Sequence, residues 1–333
     1  MTTLLQLLPI LCCITSFLLL AQNVQSLRNN CTSDDEPIYQ QPSKKFNYPL
    51  SLLNSSLDDK NYTMLISGGY KFKRLKLYRH IVSIRTTRAT AYFGDNHICA
   101  GSIISSNLIL TAAHCVIDRR KIITRTQRLL VVAGAPNRLV RHKKTLEMKV
   151  LQVVPHKKYV PEGAHDIALL RLASSFPDDN DLIKVIPLKD EIIPNGTECR
   201  IIGWGQLFYS ILFLQRGPYA AAPLTAVITV YSYDYCQKFY PDVFDETMIC
   251  GGKADTWDVD TCRGDAGGPL ICGDFVAAVV SWSSYCGEIH KPTVFISVYH
   301  HLAWIQMTGG TKIVKAIKSL DIFLYILCMH IYF

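Results

Sequence analysis

The chain has 333 residues, 49% of them hydrophobic, with twelve cysteines and a formal net charge of +8. This length and apolar content can bury one large core or two moderate ones, which excludes a wholly disordered chain. Twelve cysteines are too many for a typical cytosolic protein, and outside the cell a basic balance does not imply nucleic acid as the partner.

Residues 1–26 read as a signal peptide. Leu4 to Leu20 is an uncharged apolar run, and Ala21 to Ser26 is the smaller, more polar stretch found around a signal-peptidase site. The run is long and no Lys or Arg precedes it, so a signal anchor at the cell surface is the alternative to a secreted, extracellular protein. Acceptor triplets at Asn30, Asn54, Asn61 and Asn195 fit glycosylation on that route. Residues 27–65 are polar, acidic at Asp34-Asp35-Glu36 and lack a helical or strand period. They are expected to form a flexible leader.

After Ile66 the texture becomes short β-branched runs broken by Gly, Pro and Asn. The runs are His80–Ile84, Ser102–Thr111, Arg128–Ala133, Leu146–Val154, Ile167–Leu172, Cys199–Trp204, Ala226–Tyr231, Gly273–Ser281 and Thr293–Val298. So many short strands predict an all-β barrel or sandwich. Charge is uneven along this body. From Ile66 to Lys158, nineteen Lys and Arg stand against Asp95, Asp118 and Glu147, a balance of +16, so the remainder of the chain is acidic. The clusters Lys71–Arg79, Arg119–Arg128 and Arg138–Lys144 read either as a solvated face or as a docking patch for a sulfated glycan, an acidic protein or an anionic surface.

Three segments carry chemistry. His114 sits beside Cys115 at the end of the apolar run Leu110-Thr111-Ala112-Ala113, and Asp166 heads the apolar run Ile167-Ala168-Leu169-Leu170. The third is Gly264-Asp265-Ala266-Gly267-Gly268-Pro269. In this order, 52 and 100 residues apart, they resemble the active-site segments of the trypsin-like, chymotrypsin-fold serine proteases. The resemblance extends over roughly residues 66–308 through Gly203-Trp204-Gly205, Ser281-Trp282 and a terminal helix at Tyr299–Ile305. It implies two six-stranded antiparallel β-barrels with a C-terminal helix and a cleft between the barrels. It also implies four disulfides, Cys99–Cys115, Cys199–Cys272, Cys236–Cys250 and Cys262–Cys286.

The same resemblance implies that His114 would be the general base and Asp166 its orienting group, supported by Ser281. Gly264 and Ala266, flanking Asp265, would present the oxyanion-binding N–H groups. Ala266 stands where the family has its nucleophilic serine, and a methyl group can neither attack nor be deprotonated. Loss of the nucleophile in a related triad lowers the rate by about 10⁶. Other departures point the same way. Leu65 precedes Ile66-Ser67-Gly68-Gly69 where a trypsin-like activator needs Arg or Lys, so a zymogen-like oxyanion loop is expected. Asp260 matches the acid of the specificity pocket, beside Ser281 and Trp282, but Ser283 and Thr293 replace wall glycines and Tyr285 a small residue. A laboratory inactivation would leave the activation site and pocket untouched. The expected protein is therefore an inactive homologue, insect-like in type, that binds a protease, an inhibitor or a receptor. An active trypsin-like endopeptidase altered or misread at residue 266 is the alternative.

No cofactor is expected, and no metal site, because the ten histidines show no HExxH pattern and no paired-cysteine motif. Residues 309–333 leave the family pattern as a tail with Lys312, Lys315 and Lys318 followed by the largely apolar Leu320–Phe333. Lipid anchorage, membrane-surface contact and a partner-binding extension all fit that composition.

Overall fold

The computed structural model describes residues 63–64, 77–118, 120–206, 208–210, 215–216, 218–253, 261–283 and 291–310. The expected signal peptide, nearly all of the expected leader, the tail from residue 311 onward, Leu65, Ile66, Asp260, Tyr285, Cys286, Asn30, Asn54 and Asn61 lie outside them.

Strands β1 (Ile81–Thr86), β2 (His97–Ser105), β3 (Leu108–Thr111), β4 (Leu129–Ala133), β5 (Leu146–Pro155) and β6 (Ala168–Leu172) close into a barrel in the order β1-β2-β3-β6-β5-β4. Strands β7 (Glu198–Gly203), β8 (Leu224–Val230), β9 (Met248–Gly252), β10 (Pro269–Cys272), β11 (Phe275–Trp282) and β12 (Thr293–Ser297) close into a second, in the order β8-β9-β12-β11-β10-β7. All the pairings are antiparallel, and the two barrels share one connectivity pattern. Short segments Thr63–Met64, Phe208–Ser210 and Gln215–Arg216 form a separate small sheet.

Closure explains the sequence texture. A closed barrel has no free edge, so central strands such as β3 and β12 are buried along their whole length and read as unbroken apolar runs. Ile81, Ile84, Ile103, Ile109 and Leu110 are buried on strands of the first barrel, and Ile201, Leu270, Val280 and Phe295 on strands of the second. Full burial of each such side chain contributes roughly 1.5–3 kcal/mol.

The expected run Ser102–Thr111 is two strands, β2 and β3, reversed at Ser106-Asn107. The strand-based reading also missed β9, β10 and helix α1 (Tyr233–Phe239). Helix α1 is capped by Ser232, whose hydroxyl accepts the Tyr235 N–H. Helix α2 (Val298–Gly309) closes the fold and ends on Gly310 in the left-handed region. Among the described residues no helix is long and apolar enough to cross a membrane.

Three disulfides, Cys99–Cys115, Cys199–Cys272 and Cys236–Cys250, join the pairs the resemblance implies. Cys262 is also disulfide-bonded, and Cys286, the partner implied for it, lies outside the described residues.

Candidate active site

His114 lies on the single 3-10 turn Ala113–Cys115 that leaves β3, and the Cys99–Cys115 disulfide fixes that turn against β2. Asp166 sits two residues ahead of β6, and Ser281 is on β11 of the other barrel. The Asp166 carboxylate is 2% exposed and gathers three hydrogen bonds. The His114 backbone N–H donates to Oδ1 at 2.8 Å, His114 Nδ1 lies 2.6 Å from Oδ2, and the Ser281 hydroxyl donates to Oδ2 at 2.5 Å.

Burial alone would raise the Asp166 pKa, but the His114 charge and these hydrogen bonds outweigh it and hold the carboxyl below its ordinary 3.8. For His114, burial pulls the pKa down, yet the Asp166 charge and hydrogen bond prevail and lift it above 6.5. The imidazole side chain keeps 37% of its surface exposed, so the ring is tied at Nδ1 and still reachable from solvent.

Ala266 lies in the turn that enters β10. Its carbonyl accepts the Ala100 N–H at 2.8 Å. The Cys115 sulfur is 3.8 Å from that carbonyl oxygen and 4.0 Å from His114 Nε2, so Ala266 and His114 share one neighbouring atom. The turn is built without strain because Gly264 (φ +97°) and Gly267 (φ +80°) take the left-handed positions. A Cβ on Gly267 would strike the Thr111 hydroxyl and the Ala100 carbonyl.

The loop is not loose. Asp265 is buried, with Oδ1 accepting the Gly205 N–H at 2.8 Å and Oδ2 the Cys262 N–H at 3.1 Å. The Gly267 and Gly268 N–H groups donate to Val280 and Asp265. No described residue accepts from the N–H of Gly264 or Ala266. The zymogen-like state expected from Leu65 turns on Ile66, which lies outside the described residues; among those described, the Gly205 and Cys262 N–H groups hold the Asp265 carboxylate inward.

Of the residues that the resemblance assigns to a specificity pocket, Thr293 begins β12 and is buried with its hydroxyl 3.4 Å from that of Thr261. Trp282 donates its indole N–H to the Gly163 carbonyl at 3.4 Å and meets the Tyr240 ring edge-on, 5.1 Å between centroids. Tyr240 in turn donates to the Pro292 carbonyl at 2.7 Å. Ser283 follows as a half-buried residue, and Asn195 stands exposed ahead of β7.

Sequence reading passed over His97, which stands two residues before Cys99. Its ring is buried against Trp204 and Tyr219, with Nδ1 2.8 Å from the Ser83 hydroxyl and Nε2 3.0 Å from the Gly264 carbonyl. It therefore braces the loop of Ala266 from beneath. Two of the nineteen basic residues counted between Ile66 and Lys158 are interior, and one of them, Arg138, belongs to a cluster read as surface charge. Arg85 is 1% exposed and Arg138 4%, and Arg138 donates to the carbonyls of Gly94, Tyr219 and Ala220.

Two closed six-stranded barrels with a buried Asp paired to a solvent-reachable His and a serine of the second barrel on the same carboxylate define the architecture of the trypsin-like serine proteases. The Trypsin family model matches residues 66–305, and the chain belongs to that family. Mouse kallikrein-8 is 31% identical over 233 residues, covering 68% of this chain and 82% of that protein. Trypsin zeta of Drosophila erecta is 34% identical over 219 residues, 63% of this chain and 73% of the relative. Among solved structures, neuropsin, described as a serine protease expressed in the limbic system of mouse brain, aligns with TM-score 0.59 and 28% identity. That alignment covers 70% of this chain and 95% of the neuropsin chain.

Proposed function

We propose that this trypsin-family chain is a non-catalytic homologue that acts by binding, with residues 1–26 a signal peptide, 27–65 a leader, 66–308 the two-barrel domain and 309–333 a tail. The observation that carries the reading is Ala266. The turn around it is built and the His114–Asp166–Ser281 relay is aligned, yet the side chain there has no atom able to attack a carbonyl. Thr293 and Thr261 lend support. Thr293 stands where the family resemblance implies a wall glycine, and its hydroxyl lies 3.4 Å from that of Thr261, the residue after Asp260 in the sequence.

The partner is an extracellular protein, a protease, an inhibitor or a receptor, engaged through the cleft or the basic barrel. The exposed Arg120, Lys121, Arg125, Arg128, Arg141, Lys143 and Lys144 supply a face for sulfated glycan or another polyanion; Arg85 and Arg138 do not contribute to it. A secreted setting, immune or reproductive, fits the signal sequence and the disulfides.

Purified protein is expected to turn over no Arg or Lys peptide substrate and to take no label from a fluorophosphonate that acylates activated serines. Ala266→Ser is expected to accept the label, because the base is aligned, while still failing to cleave those peptides. Cleavage by Ala266→Ser alone would favour the active-endopeptidase reading and remove the claim that the pocket is closed. Cleavage by the unaltered protein would end the non-catalytic reading.

A further inference from the structure

Three histidines far apart in the sequence meet on the side of the first barrel that receives helix α2. His156 follows β5, His165 immediately precedes Asp166, and His301 lies in the first turn of α2. One ring nitrogen of each lies within 4.8 Å of the others. His165 Nδ1 is 2.9 Å from His301 Nε2, His156 stacks on His165 with centroids 4.5 Å apart, and His156 meets His301 edge-on at 5.4 Å. His165 reaches this position with its backbone in the left-handed region, φ +57°, which is uncommon for a residue with a Cβ.

We propose that His156, His165 and His301 form a binding site for a divalent transition metal of the zinc type, which ties the end of β5 and the segment leading into Asp166 to helix α2. The donor set argues the class of ion. Three imidazoles without thiolates suit zinc, nickel or copper, whereas calcium and magnesium need oxygen cages. Two nitrogens on one tetrahedral zinc, at bond lengths of about 2.0–2.1 Å, lie about 3.3 Å apart, so the His165–His301 pair needs to open by only a few tenths of an ångström.

The surroundings fix one ligand. His301 Nδ1 donates to the Ser297 carbonyl at 2.7 Å, which leaves the lone pair on Nε2 directed at the cluster. For His165 Nδ1 to bind, its proton moves to Nε2. His156 Nδ1 now accepts a long, 3.3 Å hydrogen bond from the Lys158 N–H, and a metal on either nitrogen of that ring replaces this contact. The cluster is half-buried and open through His156 and His165, so an ion can enter.

Burial keeps all three rings below the ordinary histidine pKa, and the neighbouring rings help push His156 and His301 to about 4, so the neutral form that ligates metals is favoured. Among the charged groups that act on the cluster, Asp245 favours a cation and Lys158 opposes one. The site is separate from the question of catalysis at Ala266.

The test is calorimetric titration of the chelator-treated full chain with zinc chloride, beside a cobalt titration followed by visible absorption. Saturable one-to-one binding, a raised Tm with zinc and a tetrahedral cobalt spectrum are expected. His165→Ala and His156→Gln should each weaken zinc at least about tenfold, while His142→Ala, at an exposed histidine outside the cluster, should not. Should those variants fold poorly, histidine NMR of the unaltered protein decides the matter, since zinc should shift the signals of these three rings. No saturable binding, full affinity in His165→Ala, or zinc-shifted signals only from other histidines would overturn the proposal.

Discussion

Ser281 donates a 2.5 Å hydrogen bond to Asp166 Oδ2, the same oxygen that His114 Nδ1 faces at 2.6 Å. The bond links β11 of the second barrel to the segment before β6 of the first. A carboxylate that is 2% exposed must be compensated whether or not the site turns over substrate, because a buried uncompensated charge destabilises a fold by several kcal/mol. Persistence of the His–Asp pair beside Ala266 therefore has a structural reason that owes nothing to catalysis.

The pair sets the titration of His114. Asp166 raises the ring above 6.5 against the opposing effect of burial, so Asp166→Asn should leave burial in command and bring the value below 6.5. Because the folded value is the raised one, the stabilisation from this pair is complete below pH 6.5 and disappears as pH climbs through the folded pKa. Histidine NMR of the two proteins reads the shift directly. An unchanged His114 titration in Asp166→Asn would show that the Asp166 charge does not set it.

The two barrels were largely legible from the chain because closed antiparallel strands are short, apolar and bounded by turns. The site segments were legible because each lies beside a local marker: Cys115 next to His114, an apolar strand after Asp166, glycines around Ala266. What the sequence concealed was long-range. His156, His165 and His301 match no linear ligand spacing, since the third comes from α2, 136 residues after the second. Arg138 looked like surface charge because nothing in Arg138–Lys144 says that its guanidinium turns inward to carbonyls more than 80 residues away. Helix α1 was missed because its Tyr, Phe and Cys residues fit a strand as well as a helix, and packing decides between them.

Arg138 has its own consequence. Its guanidinium satisfies the carbonyls of Gly94, Tyr219 and Ala220, and its backbone N–H donates to the Ala221 carbonyl at 2.8 Å, so one side chain fastens the first barrel to the segment before β8. Arg138→Met preserves length but leaves those carbonyls without their donor. With hydrogen bonds to charged groups contributing about 1.5–3 kcal/mol each, a net loss of roughly 3 kcal/mol in urea unfolding is expected. Arg141→Met, which removes an exposed ion pair with Glu147, should change stability by no more than about 1 kcal/mol. Equal losses in the two variants would contradict a strapping role for Arg138.

His97 makes the fold acid-sensitive. Burial is the main reason its pKa falls to about 3, and the charges of Arg138 and Arg85 lower it further against the Gly264 hydrogen bond. The neighbours dictate a neutral tautomer. Arg85 Nε donates to the Ser83 hydroxyl, that hydroxyl donates to His97 Nδ1, and Nε2–H donates to the Gly264 carbonyl. A proton on Nδ1 would turn the Ser83 hydroxyl proton away from the ring and bury a cation beside Arg85 and Arg138. The folded state thus resists a proton that the unfolded chain accepts near pH 6.5, so the stabilisation is full above that pH and is lost as pH falls from 6.5 towards 3. Denaturant titrations across that window should show a steeper loss of stability in the unaltered protein than in His97→Gln, by up to one proton taken up on unfolding. Parallel curves would mean that His97 protonates as readily in the folded state as in the unfolded chain, against its burial beside Arg85 and Arg138.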